Sequence, residues 1–375
     1  MQPKTKGIAV AVTGTTAGLV GLLVMTLPAD ADQEPELPEL SATELVESAL
    51  TAKAPAFEGT VEVTNDLGLP SLPALPGLGL ANAESARIYH DGDDGARLSV
   101  QRGSTEFTAV TGPDGTWTYD SESNTATKYP GVDPTETVPR HGGLSDPARA
   151  ATEIIDVLSD SSTVTIDGTA RVADRDAYEL VLTPKPSERT LLREVTVAID
   201  AATKLPLRFE VMPNGSPEPV VSAGFTEFDV TAQPDELFAF TPPRDADVTT
   251  ADPDKARKAL PKHADPSQAL DDVGEALGGS LSVTGSGWDT VLTGAVPEEA
   301  FAEAAERLNE LGGPDGPPET TALDVLNQFG ERFSEGGVSG TEFTTHAGTG
   351  VVTDDGRFAV GAVPRQVLIE ALEQQ

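Results

Sequence analysis

Alternating apolar and polar residues run through the chain from Phe57 to about Phe240. A period of two places every second side chain on one face of a strand. The clearest apolar sets are Leu98 and Val100; Trp117 and Tyr119; Tyr178, Leu180 and Leu182; Val195, Val197 and Ile199; and Leu205, Leu207, Phe209 and Val211. Asp-Gly or Asn-Gly pairs, typical of hairpin turns, fall at 94–95, 114–115, 167–168 and 214–215. The pattern predicts a large antiparallel sheet.

Helical periodicity appears once before this β-rich region and once within it. Ser41 and Glu44 have the spacing of a capping box, and the apolar stripe that follows ends before Pro55. A second apolar stripe runs from Asp146 to Leu158. We therefore predict two helices beside the sheet.

The pair Pro242-Pro243 ends the β-rich region, and a smaller α+β unit is predicted beyond a charged linker. Its predicted helices are 267–277, 297–311, 319–335 and 364–373, and its predicted strands are 280–284, 288–293, 341–346, 348–353 and 357–362. The predicted divisions of the whole chain are a leader at 1–31, a linker at 32–40, a first domain at 41–243, a linker at 244–266 and a C-terminal α+β domain at 267–375.

The N-terminus has the features of an export signal. Lys4 and Lys6 precede an uncharged run from Gly7 to Ala29, and Ala29-Asp30-Ala31 fits the small-x-small rule for cleavage. The predicted signal peptide ends at Ala31. The alternative is an uncleaved membrane anchor, because the uncharged run is long enough to span a bilayer. Either interpretation predicts an extracytoplasmic protein, secreted or held at the cell envelope.

Composition narrows the classes of function. The 375 residues include 61 acidic and 25 basic side chains, which give a net charge of −36. Such a surface repels phosphate backbones, so nucleic-acid binding is not expected. The absence of cysteine excludes disulfides, thiolate metal sites and cysteine nucleophiles.

A search for catalytic signatures finds none. The sequence lacks a G-x-S-x-G elbow, an H-E-x-x-H motif, a P-loop and a dinucleotide fingerprint. Its four histidines are far apart, without neighbouring motif partners. We predict no catalytic residue, no metal site and no cofactor. A hydrolase using two of the many carboxylates is an alternative without any motif behind it.

One segment combines leucine and proline. It reads Asp66-Leu-Gly-Leu-Pro-Ser-Leu-Pro-Ala-Leu-Pro-Gly-Leu-Gly-Leu80. The prolines exclude a regular helix or a central strand. The segment is either a flap over an apolar cavity or a loop whose leucines complete a local core. The residues predicted to act in such a flap are Leu69, Leu72, Leu75 and Leu78.

Several strand and turn pieces together resemble a known family. These pieces are Phe57-Glu-Gly-Thr-Val-Glu-Val63, Arg87-Ile-Tyr-His-Asp-Gly92, Trp117-Thr-Tyr-Asp-Ser121, Val172-Ala-Asp-Arg-Asp-Ala-Tyr-Glu-Leu-Val-Leu-Thr-Pro184, Val197-Ala-Ile-Asp-Ala-Ala-Thr203 and Phe238-Ala-Phe-Thr-Pro-Pro243. The chain resembles the LolA-type lipoprotein-carrier superfamily, which includes the RseB/MucB sensor domains. It is most similar to exported versions from high-GC Gram-positive bacteria that carry an extra C-terminal domain.

The resemblance implies an α+β fold, with a strongly curved antiparallel sheet that forms an unclosed barrel and helices that plug its concave face. In this family the concave cavity takes acyl chains. The residues predicted by parity to line it are Leu98, Val100, Phe107, Trp117, Tyr119, Leu180, Leu182, Val197, Ile199, Leu207 and Phe209. A filled core without a cavity requires the same alternation, so both interpretations stay open. A slip of one residue moves a strand's whole set to the other face.

Two functions follow from the resemblance. The first is non-enzymatic binding or carriage of lipids or lipidated proteins through their acyl chains. The alternative is an RseB-like sensor module whose partner is a membrane anti-sigma factor in envelope-stress regulation. The sequence leaves the oligomeric state, the cargo and the role of the C-terminal domain undetermined.

Overall fold

A computed structural model of the chain describes residues 35, 37–67, 85–129, 147–251, 281–295 and 330–374. The predicted leader lies outside the described residues, and so do Leu69, Leu72, Leu75 and Leu78 of the predicted flap. The predicted helices 267–277 and 297–311 and most of the predicted helix 319–335 also lie outside them.

Within the described residues, twelve strands form the larger sheet. They are β1 (Ala56–Asn65), β2 (Ser85–Asp91), β3 (Ala96–Arg102), β4 (Thr105–Gly112), β5 (Gly115–Asp120), β6 (Thr125–Tyr129), β7 (Ser162–Val172), β8 (Arg175–Pro184), β9 (Leu192–Asp200), β10 (Pro206–Pro213), β11 (Val221–Asp229) and β12 (Asp247–Thr250). Their order across the sheet is β12-β6-β5-β4-β3-β2-β1-β11-β10-β9-β8-β7. This linear order leaves β12 and β7 as edge strands, so the sheet is open. It is neither closed nor curled, which corrects the prediction of a strongly curved sheet that forms an unclosed barrel.

The sheet is mixed, which corrects the prediction of a wholly antiparallel one. Strand β12 pairs with β6 in parallel, whereas the other pairs of the large sheet are antiparallel. The chain reaches β12 from β11, in the middle of the sheet, rather than through a hairpin from β6, and so it can enter in either direction. The strand lies in the predicted linker 244–266, which therefore begins inside the large sheet.

A second, six-stranded antiparallel sheet follows. Its strands are β13 (Leu281–Thr284), β14 (Val291–Ala295), β15 (Glu331–Glu335), β16 (Val338–Thr344), β17 (Thr349–Thr353) and β18 (Arg357–Gly361), in the order β13-β14-β18-β17-β16-β15. Residues 331–335 were predicted to end a helix but form β15 instead, with Phe333 buried. Gly336 and Gly337, with φ of +61° and +80°, form a tight turn after 335, so this segment pairs with β16 as a hairpin strand.

Three α-helices accompany the sheets in the described residues: α1 (Ala42–Thr51), α2 (Pro147–Ser161) and α3 (Arg365–Glu373). The predicted capping box of α1 is present, because Glu44 N donates to Ser41 Oγ at 3.2 Å and Ser41 N donates to Glu44 Oε2 at 2.8 Å. Helices α1 and α2 pack on each other and against β7, while α3 packs on the second sheet. None of the helices in the described residues is both long and apolar enough to cross a bilayer.

Candidate binding face

The strand register brings most of the predicted pocket residues onto one face of the large sheet. Directly paired residues share a face, and so do residues two apart on one strand. One row runs Leu180, Val197, Phe209, Ala223 and Val63 from β8 to β1. A second row runs Phe225, Val61, Ala86, Val100 and Phe107 from β11 to β4. Both rows contain odd-numbered β1 residues, so they belong to one apolar face.

Packing divides this face into two clusters. The first cluster contains Phe57, Val61, Ala86, Val100, Leu207, Phe225 and Phe228, with Leu98 and Phe107 packed against it. The second, which we call the helix–sheet cluster, contains Leu45 of α1 with Tyr178, Leu180, Leu182 and Ile199. Val46, Leu158, Val195 and Val197 pack against its edge. Helices α1 and α2 thus cover the β7–β9 end of the face.

Between the two clusters lies a strip of half-buried apolar residues. We call it the apolar strip, and its members are Val63, Phe209, Val211, Val221 and Ala223 on β1, β10 and β11. None of these five residues belongs to either of the two buried clusters found among the described residues. Strand β1 ends at Asn65, immediately before the Leu/Pro segment. The strip is therefore half-buried apolar surface that belongs to neither cluster.

Trp117 and Tyr119 do not join the other predicted pocket residues. Trp117 pairs with Val110 and Tyr119 pairs with Thr108, both even-numbered residues of β4. Val100 pairs with Phe107, an odd-numbered residue of the same strand, which lies on the other face of β4. The two aromatic side chains therefore point to the opposite face. There they meet Phe240, whose ring centroid lies 5.6 Å from that of Trp117.

Sequence reasoning did not anticipate the role of Phe238 and Phe240. They sit at the end of a short 3₁₀ helix, Asp235–Phe238, which packs on β3 and β4. A Cβ at Gly112 would lie 2.0 Å from the carbonyl oxygen of Phe238, so only glycine allows this approach. The Phe-Ala-Phe spacing is visible in the sequence, but the sequence does not show which distant strands these two phenylalanines contact.

Ionisable groups gather around one buried carboxylate rather than in a cleft. Asp200 accepts hydrogen bonds from Arg175 Nε at 2.5 Å and Arg175 Nη2 at 2.9 Å, and from the amide nitrogens of Ala202 and Thr203. Burial alone would raise the pKa of Asp200, but the bonds from Arg175 and Thr203 outweigh burial and leave its pKa below the usual value. The group closes the turn from β9 to β10, which is a structural role.

Two further carboxylates titrate abnormally because of burial. Burial raises the pKa of Glu179, and Arg208, which donates to it at 2.9 Å, offsets this in part. Burial also raises the pKa of Glu62. Glu62 and Arg208 both pair with Gly224, and Glu179 shares their row, so all three lie on the face opposite the apolar strip.

A small polar pocket of about 190 Å³ lies on that same opposite face. Its lining comprises Glu58, Gly59, Thr60, Arg87, Tyr89, Glu227 and Asp229. Thr60 already donates to Glu227 at 2.8 Å. Across the described ranges, no group of three or more histidine, aspartate or glutamate side chains is arranged to hold a metal ion. The pocket is too small and too polar to accept an acyl chain.

Comparison with known proteins identifies one family over part of the chain. Residues 122–251 match the family model of the MucB/RseB N-terminal domain. This stretch runs from just before β6 through β12 and includes the β10 and β11 residues of the apolar strip. None of the curated proteins compared with the chain matches it.

Solved structures of similar proteins come from several bacteria. The Pseudomonas aeruginosa MucA/MucB complex has 15% identity and a TM-score of 0.38, and the match covers 88% of this chain and 96% of that chain. A LolA superfamily protein from Nitrosomonas europaea has 12% identity and a TM-score of 0.21, over 54% and 99% of the two chains. An uncharacterized conserved protein from Thermus thermophilus has 17% identity and a TM-score of 0.31, over 55% and 95%. At these scores and identities, the similarities do not define the function of this chain.

Proposed function

We propose that the chain is a non-catalytic, extracytoplasmic sensor module that binds the external segment of a membrane-anchored anti-sigma regulator. The observation that carries the proposal is the match of residues 122–251 to the MucB/RseB N-terminal domain. One of the similar solved structures is itself a complex, that of MucB with MucA(peri). The proposed binding surface is the apolar strip.

The chemistry of the strip suits an apolar segment of a protein partner. Phe209, Val211 and Val221 offer hydrocarbon without a charged group among them, so burial against apolar side chains would supply the affinity. The surrounding chain is strongly acidic, which favours a partner segment that carries basic residues beside its apolar ones.

A photo-crosslinking experiment tests the proposal. A photoreactive amino acid replaces Phe209 in the full-length protein, and a matched variant carries it at Val248, which is 50% exposed on edge strand β12. We expect a membrane regulator to be captured from position 209 and not from position 248. Capture of no membrane regulator, together with normal envelope-stress signalling after deletion of the gene, would contradict the proposal.

A second candidate function is the binding of acyl chains from lipids or lipoproteins. The observation that favours it is the half-buried state of Leu98, Phe107 and Phe209, which lie on the same face and leave apolar surface in contact with solvent. It requires the large sheet to curve into a trough and the leucines of the Leu/Pro segment to close over it. Each buried methylene would then contribute about 0.8 kcal/mol.

Fluorescent fatty acid separates the two functions. Saturable uptake that Phe209→Asp abolishes and Val248→Asp preserves would support acyl-chain binding. Native mass spectrometry that detects only ligand-free protein, with no uptake of the fatty acid, would exclude it and leave the sensor proposal in place.

A further inference from the structure

The second sheet reaches the large sheet through a short segment that carries Trp288. This segment is the 3₁₀ helix Gly287–Asp289, which lies between β13 and β14. The Trp288 side chain packs against the helix–sheet cluster. Its Nε1 donates to Ser162 Oγ at 2.8 Å, and its backbone nitrogen donates to Glu188 Oε2 at 2.9 Å. A residue of the second unit therefore completes the packing of the first.

The neighbouring glycine shows how closely the two units approach. Gly287 has a φ of +80°, and a Cβ at this position would lie 2.5 Å from Ser161 Cβ and 2.8 Å from Glu188 Oε2. Ser161 is the last residue of α2, and Ser162 is the first residue of β7. The Gly287–Trp288 pair thus sits against the point where α2 turns into the sheet.

Further contacts between the two units lie at the same corner, while His346 contacts Asp66 and Leu67 at the far end of β1. Leu191 N donates to the Ala362 carbonyl at 2.8 Å, and Thr190 Oγ1 donates to the same oxygen. Arg189 forms an ion pair with Glu370 of α3 at 2.7 Å, although both side chains are about half exposed. An exposed pair contributes little, so the indole and the backbone contacts dominate.

We propose that the second unit positions α2, through Gly287 and Trp288, and thereby controls access to the helix–sheet cluster and the adjoining apolar strip. Gly287 and Trp288 pack against the junction of α2 and β7, and the bond from Trp288 to Ser162 holds that junction in place. When the indole is removed, α2 loses an apolar neighbour and the hydrogen bond that fixes Ser162. The regulatory part of this inference rests on the proposed function, whereas the positioning part does not.

Glycine and tryptophan variants of the full-length protein test the positioning. Gly287→Ala adds a methyl group that meets Ser161, and Trp288→Ala removes the indole. Gly337→Ala is the matched control, because Gly337 has the same φ of +80° and nothing lies within 4 Å of its Cβ position. Trp288→Phe retains an aromatic ring but lacks the indole N–H, which separates the hydrogen bond from the packing.

Hydrogen exchange of the α2 amides is the main measurement. We expect Gly287→Ala and Trp288→Ala to accelerate exchange across 147–161 about tenfold or more, while exchange in β3 to β5 stays unchanged. Trp288→Phe should have a smaller effect, and Gly337→Ala should have none. Unchanged α2 exchange in both main variants would overturn the proposal, and so would equal acceleration in β3 to β5, because that would be a global loss of stability.

Capture of the regulator by the photo-crosslinker at position 209 tests the regulatory part. Loosening α2 should change the yield of captured regulator in Trp288→Ala and leave it unchanged in Gly337→Ala. A wild-type protein that captures regulator with the same yield as Trp288→Ala would overturn regulation by the second unit. A wild-type protein that captures none contradicts the proposed function, while faster α2 exchange in the variants would still support the positioning role.

Discussion

Replacement of Asp200 by asparagine should destabilise the large sheet strongly. The side chain is only 1% exposed, and it receives a two-pronged bond from Arg175 as well as bonds from the 200–203 turn. Asparagine keeps the size but loses the charge and cannot accept both guanidinium bonds. Arg175, whose side chain is 23% exposed, then lacks its counter-charge. Breaking a buried pair in this way costs about 3–5 kcal/mol.

Urea denaturation at neutral pH, followed by far-ultraviolet circular dichroism, measures the change in the free energy of unfolding. Asp354→Asn is the matched control, because Asp354 also binds an arginine through two bonds but is 53% exposed. That exposed pair should contribute little. If Asp200→Asn is no more destabilising than Asp354→Asn, the reasoning from burial is refuted.

The pH dependence of the same variant gives a second check. The pKa of Asp200 in the folded protein is lowered, so its contribution to stability is present above its usual pKa of 3.8. The contribution is lost as the pH falls through the lower, folded-state pKa. The difference between wild type and Asp200→Asn should therefore be constant near neutral pH and shrink in acid. A difference that grows in acid would show that another group is responsible.

Three further predictions concern packing, capping and the binding face. Leu45→Ala should destabilise the protein by about 2–5 kcal/mol in urea denaturation, because the fully buried side chain joins α1 to the helix–sheet cluster; a cost near that of truncating exposed Val360 to alanine would contradict this. Ser41→Ala should cost about 1 kcal/mol through loss of the α1 cap, and Ser41→Gly only a few tenths; equal losses from both would show that the cap side chain is not responsible. Phe209→Asp should reduce partner or acyl-chain binding at least tenfold while Val248→Asp leaves it unchanged, as measured by titration with each ligand; equal binding by both variants would remove the apolar strip from the proposed site.

Much of the apolar face was predictable from the sequence, but of the apolar strip only Phe209 was among the predicted pocket residues. Alternation correctly placed Leu98, Val100, Leu180 and Val197 on apolar sides of their strands. It gave the same parity argument for Trp117 and Tyr119, which the register puts on the opposite face. The error arises because alternation fixes which residues of one strand share a face, but not which face of the neighbouring strand they meet.

The sequence by itself determined the local elements, because their causes lie within a few residues. The capping box at Ser41 and Glu44, the turn glycines and the two-residue alternation act through neighbouring backbone groups and need no distant partner. Tertiary structure decided the parallel pairing of β12 with β6, the strand at 331–335 and the seating of Trp288 against Ser162. The β12–β6 pairing and the Trp288–Ser162 contact each join residues more than 100 positions apart. The strand at 331–335 depends on the neighbours that bury Phe333. Nearby residues specify none of these contacts, so only the packing of the whole chain decides them.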